Sequence, residues 1–189
     1  MNIVLIVQAR LGSTRLPNKV LRPVCDTPLI GLQLDRLRGV KKANQIVVAI
    51  PDSTENGLLQ KYLNELGHTV FLGDEKDVLD RYYQAAKSVE ADVIVRITGD
   101  CPLSDPELVD AVIESFILSG VDYVSNIAPP TYPDGLDVEV FTFNALEESW
   151  LHADEISDRE HVTKFIRSED QFSKFNVIHD EDYSLVRWT

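Results

Sequence analysis

Three cations spaced over a short polar loop are the first residues of this chain whose types suggest chemistry. The segment Gln8-Ala-Arg-Leu-Gly-Ser-Thr-Arg-Leu-Pro-Asn-Lys19 follows directly on a run of Ile, Val and Leu. Gly12 lets a backbone approach an anion closely, while Ser13 and Thr14 offer hydroxyls and backbone N–H donors. Arg10 and Arg15 suit bidentate contact with phosphate oxygens, and Lys19 supplies a mobile point charge. A triphosphate needs about this much positive charge. The segment is neither a GxGxxG dinucleotide fingerprint nor a GxxxxGK phosphate loop.

A second segment, Arg96-Ile-Thr-Gly-Asp-Cys-Pro102, closes another apolar run. Asp100, one residue past Gly99, is expected to face the same crevice, where a carboxylate suits Mg²⁺ bridged to phosphates. Taken alone, Asp100 fits an Asx-type turn before Ser104 equally well. Cys101 reads as a buried small hydrophobe, since no histidine is near it in sequence. Further on, Asp137 and Glu139 would share one face of a strand over Asp137–Phe141, which is costly unless they are solvated, paired or ligating. His161, in Asp158-Arg-Glu-His-Val-Thr163, falls on a helix and on its own reads as a packed or surface histidine. The four histidines form neither HExxH nor a Cys/His ladder, so zinc is not expected.

The elements that must position these residues are legible in the pattern. Strands are expected at Ile3–Val7, Ile46–Ile50, Thr69–Leu72, Asp92–Ile97, Tyr123–Ser125 and Asp137–Phe141. The first, second and fourth are nearly continuous Val/Ile/Leu, as when helices cover both faces of a sheet. Thr27-Pro28 reads as an N-cap and N1 proline, opening a helix to about Arg38. Ser104-Asp-Pro-Glu107 and Ser157-Asp-Arg-Glu160 read as capping boxes. The first would open a helix that Gly120 stops, the second a helix to about Arg167. A helix over Asp77–Val89 would bury Leu79, Tyr82, Tyr83 and Ala86. The alternation predicts an α/β fold with a doubly wound, mostly parallel sheet, whose ligands bind at the carboxyl ends of the strands. The Pro/Gly-rich stretch 128–135 reads as a functional loop, and Ser184–Trp188 as a last strand.

Composition sets the frame. The 189 residues, 44% hydrophobic and 26% charged, suit one domain over 1–189 and exclude a disordered or fibrous chain. No apolar run approaches a membrane span, and the N-terminus lacks the features of a signal peptide. Two cysteines far apart, outside any CxxC, suit free thiols in a reducing, cytoplasmic setting. The net charge of −13 argues against nucleic acid or an anionic membrane as partner. That charge is uneven. Residues 1–42 carry eight basic and two acidic residues, a net of +6, which leaves −19 for the remainder. Arg36, Arg38, Lys41 and Lys42 read as a solvated helix face, whereas Arg10, Arg15 and Lys19 read as an anion site.

Taken together, the segments resemble the cytidylyltransferases that activate sugars as CMP derivatives. This is the acylneuraminate/3-deoxy-manno-octulosonate group, and within it the branch named for spore coat polysaccharide biosynthesis. The resemblance rests on the opening segment Gln8–Leu21, on Gly73-Asp-Glu-Lys-Asp-Val-Leu-Asp-Arg-Tyr82 and on Arg96–Leu103. It continues through Gly135-Leu-Asp-Val-Glu-Val140 and Arg159-Glu-His-Val-Thr163. It implies a Rossmann-like nucleotidyltransferase fold, CTP and a sugar acceptor as substrates, Mg²⁺ as cofactor, and a homodimer. Arg10, Ser13, Arg15 and Lys19 would hold the CTP phosphates, with Ala9, Gly12 and Thr98 beside them. Lys19, Arg15 and Asp100 would carry catalysis, Asp100 also ligating Mg²⁺. Arg81 would contact the nucleoside, although an i,i+4 ion pair with Asp77 is an equal reading of that residue. Asp137, Glu139, Arg159, Glu160 and His161 would line the sugar side. Family members continue past the last strand with a short segment, roughly Val-Asp-x-Pro-Glu-Asp, so a chain ending at Thr189 is expected to be truncated there. A UTP- or dTTP-dependent relative would favour a GxGxR-type opening, which Gly12-Ser-Thr-Arg15 matches poorly. A non-catalytic nucleotide-binding module is the other alternative: the presence of both Lys19 and Asp100 argues against it, the missing end segment for it.

Overall fold

The structure, a computed structural model, describes residues 1–12 and 16–189. The chain opens with β1 (Ile3–Gln8), whose Val4 to Val7 are entirely buried. The loop after β1 leads to two short strands, β2 (Pro23–Val24) and β3 (Thr27–Pro28), paired antiparallel, and then to α1 (Leu29–Leu37). Thr27 therefore belongs to a strand and does not cap α1, which starts without a side-chain cap. The N-cap position is Pro28, whose ring has no acceptor to offer the N–H groups of the first turn.

Next come β4 (Gln45–Pro51), α2 (Gly57–Glu65), β5 (Thr69–Gly73) and α3 (Val78–Ser88). Asp77 caps α3 by accepting from the Asp80 N–H at 2.8 Å, and Leu79, Tyr82, Tyr83 and Ala86 are buried as the spacing predicts. They are followed by β6 (Val93–Thr98) and α4 (Pro106–Ser119), which ends at Gly120 with φ of 65°. The cap of α4 is Asp105, not Ser104. Asp105 accepts from the Glu107 N–H, whereas the Ser104 hydroxyl donates to the Cys101 carbonyl and accepts from Gln33.

The last third contains β7 (Tyr123–Ser125), β8 (Glu139–Thr142), α5 (Phe143–His152), α6 (Ile156–Glu160), α7 (Lys164–Ser168) and β9 (Lys174–Asn176). The single helix expected from Ser157 is two short ones. Val162, fully buried, takes φ of 45° between them, a left-handed conformation that a β-branched residue adopts only under constraint. Ser184–Trp188 forms no strand. It runs as turn and bridge beside the 131–135 loop, where the Trp188 N–H donates to the Asp134 carbonyl at 2.7 Å.

Among the described residues one seven-stranded sheet runs in the order β5-β4-β1-β6-β8-β7-β9. The first four are mutually parallel, and β8 lies antiparallel to both β6 and β7. Helices cover both faces, as continuous apolar strands require. Leu5 and Val7 point toward α1, α2 and α4, while Val4 and Ile6 point toward α3 and α5. The doubly wound reading therefore holds. It brings the carboxyl ends of β1, β5 and β6 to one edge.

Candidate active site

The turn after β6 and the loop after β1 are joined at the backbone. The Gly99 N–H donates to the Gln8 carbonyl at 2.7 Å. A Cβ on Gly99 would stand 2.6 Å from that carbonyl and 2.8 Å from the Ala9 Cβ, so only glycine allows the approach. The loop is braced from the other side by buried Asn56, whose side-chain oxygen accepts from the Leu11 N–H at 2.9 Å. Asn18, in the left-handed region, donates its N–H back to the Leu11 carbonyl at 3.3 Å. Lys19 is thereby delivered to Asp100, with Nζ 3.1 Å from Oδ2. Burial pushes the Asp100 carboxyl up, but the Lys19 ammonium and the Thr98 hydroxyl hold it below the usual carboxylate range.

The turn between β5 and α3 forms the facing side. The Asp74 carboxylate accepts from the backbone N–H groups of Lys76 and Asp77, which fixes the turn and draws its carboxyl down. Arg81 is 2% exposed and donates to the Asp74 carbonyl, while its Nε has no partner among the described residues. Burial, with the nearby Arg10 charge, lowers the Arg81 pKa. Two guanidinium groups that repel each other across a cleft are an arrangement that an anion stabilises. The ion pair between Arg81 and Asp77 is absent among the described contacts. Asp77 instead accepts from Arg159, whose Nε and Nη2 lie 2.9 and 2.5 Å from one carboxylate oxygen.

These segments enclose an open cleft of about 610 Å³. The β1 loop contributes Gln8, Ala9, Arg10, Lys19 and Val20, and the end of β6 contributes Arg96, Thr98, Gly99 and Asp100. Glu75, Lys76, Val78 and Arg81 come from the β5–α3 turn, and Ile156, Glu160 and His161 from α6 and its end. The cleft thus gathers Ala9, Arg10, Lys19, Arg81, Thr98, Asp100, Glu160 and His161 from the residues singled out in the sequence. Gly12 does not line it and has nothing within 4 Å of where a Cβ would be. Ser13 and Arg15 lie outside the described residues.

Three of the expected sugar-side residues, Asp137, Glu139 and Arg159, do not line the cleft. Glu139 is 2% exposed and enclosed. It pairs with Arg96 and accepts from the Tyr123 and Thr163 hydroxyls, each at 2.6 Å, so its carboxylate is held inside the protein and not in the cleft. Burial pushes the Glu139 carboxyl up, yet the Arg96 charge and these bonds bring it below its usual value. Arg159 fastens α6 to α3 and α5 through Asp77 and the Trp150 carbonyl. Asp137 remains solvent-accessible outside the strand. Desolvation, with the carboxylates of Asp134, Glu139 and Asp100, pushes it up to about 6. Cys101 is buried and its thiol is pushed up to about 12, as suits a packed hydrophobe.

Sequence reasoning missed Gln8, Glu75, Lys76 and Ile156 as lining residues. Gln8 accepts from Arg96 Nη2 at 3.2 Å, a long-range contact with no local signature. Glu75 and Lys76 had one. The order Gly73-Asp74 directly after a strand, with Asp77 as cap, marks a tight turn at the edge where ligands bind.

The residues present fit a hard cation modestly. Among the described residues no three His, Cys, Asp or Glu side chains form a metal cage. Mg²⁺ keeps several waters and takes only one or two carboxylates beside substrate phosphates, so Asp100 in a cation-lined cleft is a sufficient protein donor.

Comparison with known proteins accords with this geometry. A family profile described as "Cytidylyltransferase" matches residues 4–187. An uncharacterised protein of Methanocaldococcus jannaschii is 44% identical over 185 residues, covering 97% of this chain and 74% of that protein. The spore coat polysaccharide biosynthesis protein SpsF of Bacillus subtilis is 38% identical over 172 residues, covering 88% and 70%. The solved structure of a cytidylyltransferase from Leptospira borgpetersenii superimposes with a TM-score of 0.94 at 32% identity, covering 99% of this chain and 80% of that one.

Proposed function

This chain belongs to the cytidylyltransferase family, and from that membership we propose that it transfers CMP from CTP to a sugar hydroxyl. The observation that carries the proposal is the cleft where Lys19 and Asp100 pair at 3.1 Å while Arg10 and Arg81 face the same space. Arg10 and Lys19, with Ser13 and Arg15, hold the triphosphate. Ala9, Gly12 and Thr98 lie on the nucleotide side with them, and Arg81 contacts the nucleoside. Asp100 would hold Mg²⁺, which when bound would supply neutralisation of charge at the triphosphate. Glu160 and His161 of the cleft, with Asp137 beyond its lining, serve the acceptor side. The acceptor oxygen attacks the α-phosphorus in line. The new O–P bond forms as the bond to the β-phosphate oxygen breaks, pyrophosphate leaves with that electron pair, and the hydroxyl proton is released. Lys19 and the arginines work by positioning and by stabilising the charge that develops on the phosphoryl oxygens. Residues 1–189 belong to one nucleotidyltransferase domain, read as a cytoplasmic homodimer with neither nucleic acid nor membrane as partner. Among the described residues no helix is long and apolar enough to cross a membrane. The likeness to a spore coat polysaccharide protein supports surface-glycan synthesis as the setting.

The test is pyrophosphate release with CTP, UTP and dTTP in turn, with Mg²⁺ and a panel of sugars, the product identified by mass. Release that needs CTP and yields a CMP-sugar is expected. Equal release from UTP or dTTP would overturn the choice of nucleotide.

A further inference from the structure

The Lys19–Asp100 pair sets a condition on any triphosphate that enters the cleft. Lys19 Nζ lies 3.1 Å from Asp100 Oδ2, and the two side chains are 23% and 46% exposed. Among the described residues Lys19 is the cation that pairs with this carboxylate. Arg96 is held by buried Glu139, while Arg10, Lys76, Arg81 and His161, which line the same cleft, form no ion pair with Asp100. Another acid stands nearby, since the Asp100 charge helps to push up the Asp137 carboxyl. Without Lys19, Asp100 is a partly buried carboxylate with acid and not base for company, which is unfavourable.

Phosphate oxygens and Asp100 therefore compete for one ammonium group. A triphosphate that draws Lys19 away and brings no cation of its own leaves the carboxylate bare beside the negative charge of the nucleotide. A triphosphate that arrives with a divalent cation exchanges one positive charge at Asp100 for another, because a hard cation takes carboxylate and phosphate oxygens together. Resting on the reading of this cleft as a CTP-dependent transferase site, we infer that Asp100 is a specificity-determining residue that rejects the metal-free nucleotide, Lys19 serving as its counter-ion until the metal-bound form enters. The selection acts on binding, before any bond is made or broken. It is a role for the carboxylate that persists when no metal is present, and it separates Asp100 from the other acids of the cleft, Glu75 and Glu160, which hold no cation in an ion pair among the described residues.

The experiment is titration calorimetry with CTP, once in EDTA and once in excess Mg²⁺ at matched ionic strength, on the wild type, Asp100→Asn and Glu75→Gln. Thermal unfolding of each free chain shows that it is folded. In EDTA, Asp100→Asn is expected to bind CTP at least about tenfold tighter than the wild type, and in Mg²⁺ to bind it more weakly, so that the effect of the substitution changes sign with the metal. Glu75→Gln is expected to shift affinity by a similar factor in both buffers. An Asp100→Asn effect of the same sign in both, the same change of sign in Glu75→Gln, or no effect of Asp100→Asn in EDTA would each overturn the inference. The last is the result if another cation, Arg15 included, covers Asp100. Absence of any CTP binding to the wild type in Mg²⁺ is a different result, which overturns the functional reading and the inference with it.

Discussion

Lys19 and Asp100 come from positions eighty-one residues apart and meet at 3.1 Å because the Gly99 backbone lies against Gln8. The pair keeps each charge in place, and Lys19 is in reach of any phosphate that enters the cleft. Lys19→Ala and Asp100→Asn are each expected to lower turnover by more than about 100-fold while the protein stays folded. Turnover of pyrophosphate-releasing assays on purified, folded variants checks this. Glu139 is of another kind. Removing its carboxylate leaves Arg96 charged and enclosed, so Glu139→Ala is expected to cost about 3–5 kcal/mol in denaturant unfolding. Because the folded carboxyl sits below its usual value of 4.5, its contribution is complete above that pH and fades as pH falls through the lower, folded value. Unfolding followed from pH 7 to pH 3 should show the wild type losing more stability than the variant. Asp100 was legible in sequence because it sits just past an apolar run, and Lys19 because it closes the cation-bearing polar loop that follows one. The enclosure of Glu139 was not legible because the alternation Asp137-Val-Glu-Val140 shows which face a residue takes, not what lies opposite. The arginine at the other end of its ion pair is forty-three positions away.

At the scale of elements, the site depends on where strands end and turns begin. Gly99 is the tightest such point, since two rigid neighbours would meet an added methyl group at 2.6 and 2.8 Å. Gly99→Ala is expected to part β1 from β6 at their carboxyl ends and to destabilise the fold by about 1–3 kcal/mol. Binding of CTP should weaken more than stability does, and titration calorimetry beside thermal unfolding measures both. The apolar strands and the buried face of α3 were legible, because burial on both sheet faces writes itself into Val/Ile/Leu runs and into 3.6-residue spacing. Helix starts were less so. Ser104 has the right spacing for a cap, but buried Gln33 holds its hydroxyl and Asp105 is left to accept from the helix. The helix expected from Ser157 is interrupted at Val162, where the chain turns so that the Thr163 hydroxyl reaches Glu139. Tertiary bonds of that kind leave no local pattern.

For the whole molecule, an excess of acid surrounds a small basic centre. The net charge of −13 coexists with a cleft lined by Arg10, Lys19, Lys76, Arg81 and Arg96. The sheet order places the β1 loop at the middle of the parallel strands, between β4 and β6, where their carboxyl ends open a crevice. A nucleotide seated there touches β1, β6 and α3 together, so its binding should stabilise the whole fold and not one loop. The measurement that tests this most directly is thermal unfolding of the chain with Mg²⁺ and CTP, UTP, dTTP or ATP in turn. At 100 times its dissociation constant a ligand adds about 2.7 kcal/mol, and a domain of this size gains roughly 2–4 °C for each kcal/mol. CTP is expected to raise the midpoint by several degrees, more than the other three, with the shift lost in Lys19→Ala. An equal shift with all four nucleotides, or none with CTP, would contradict the account.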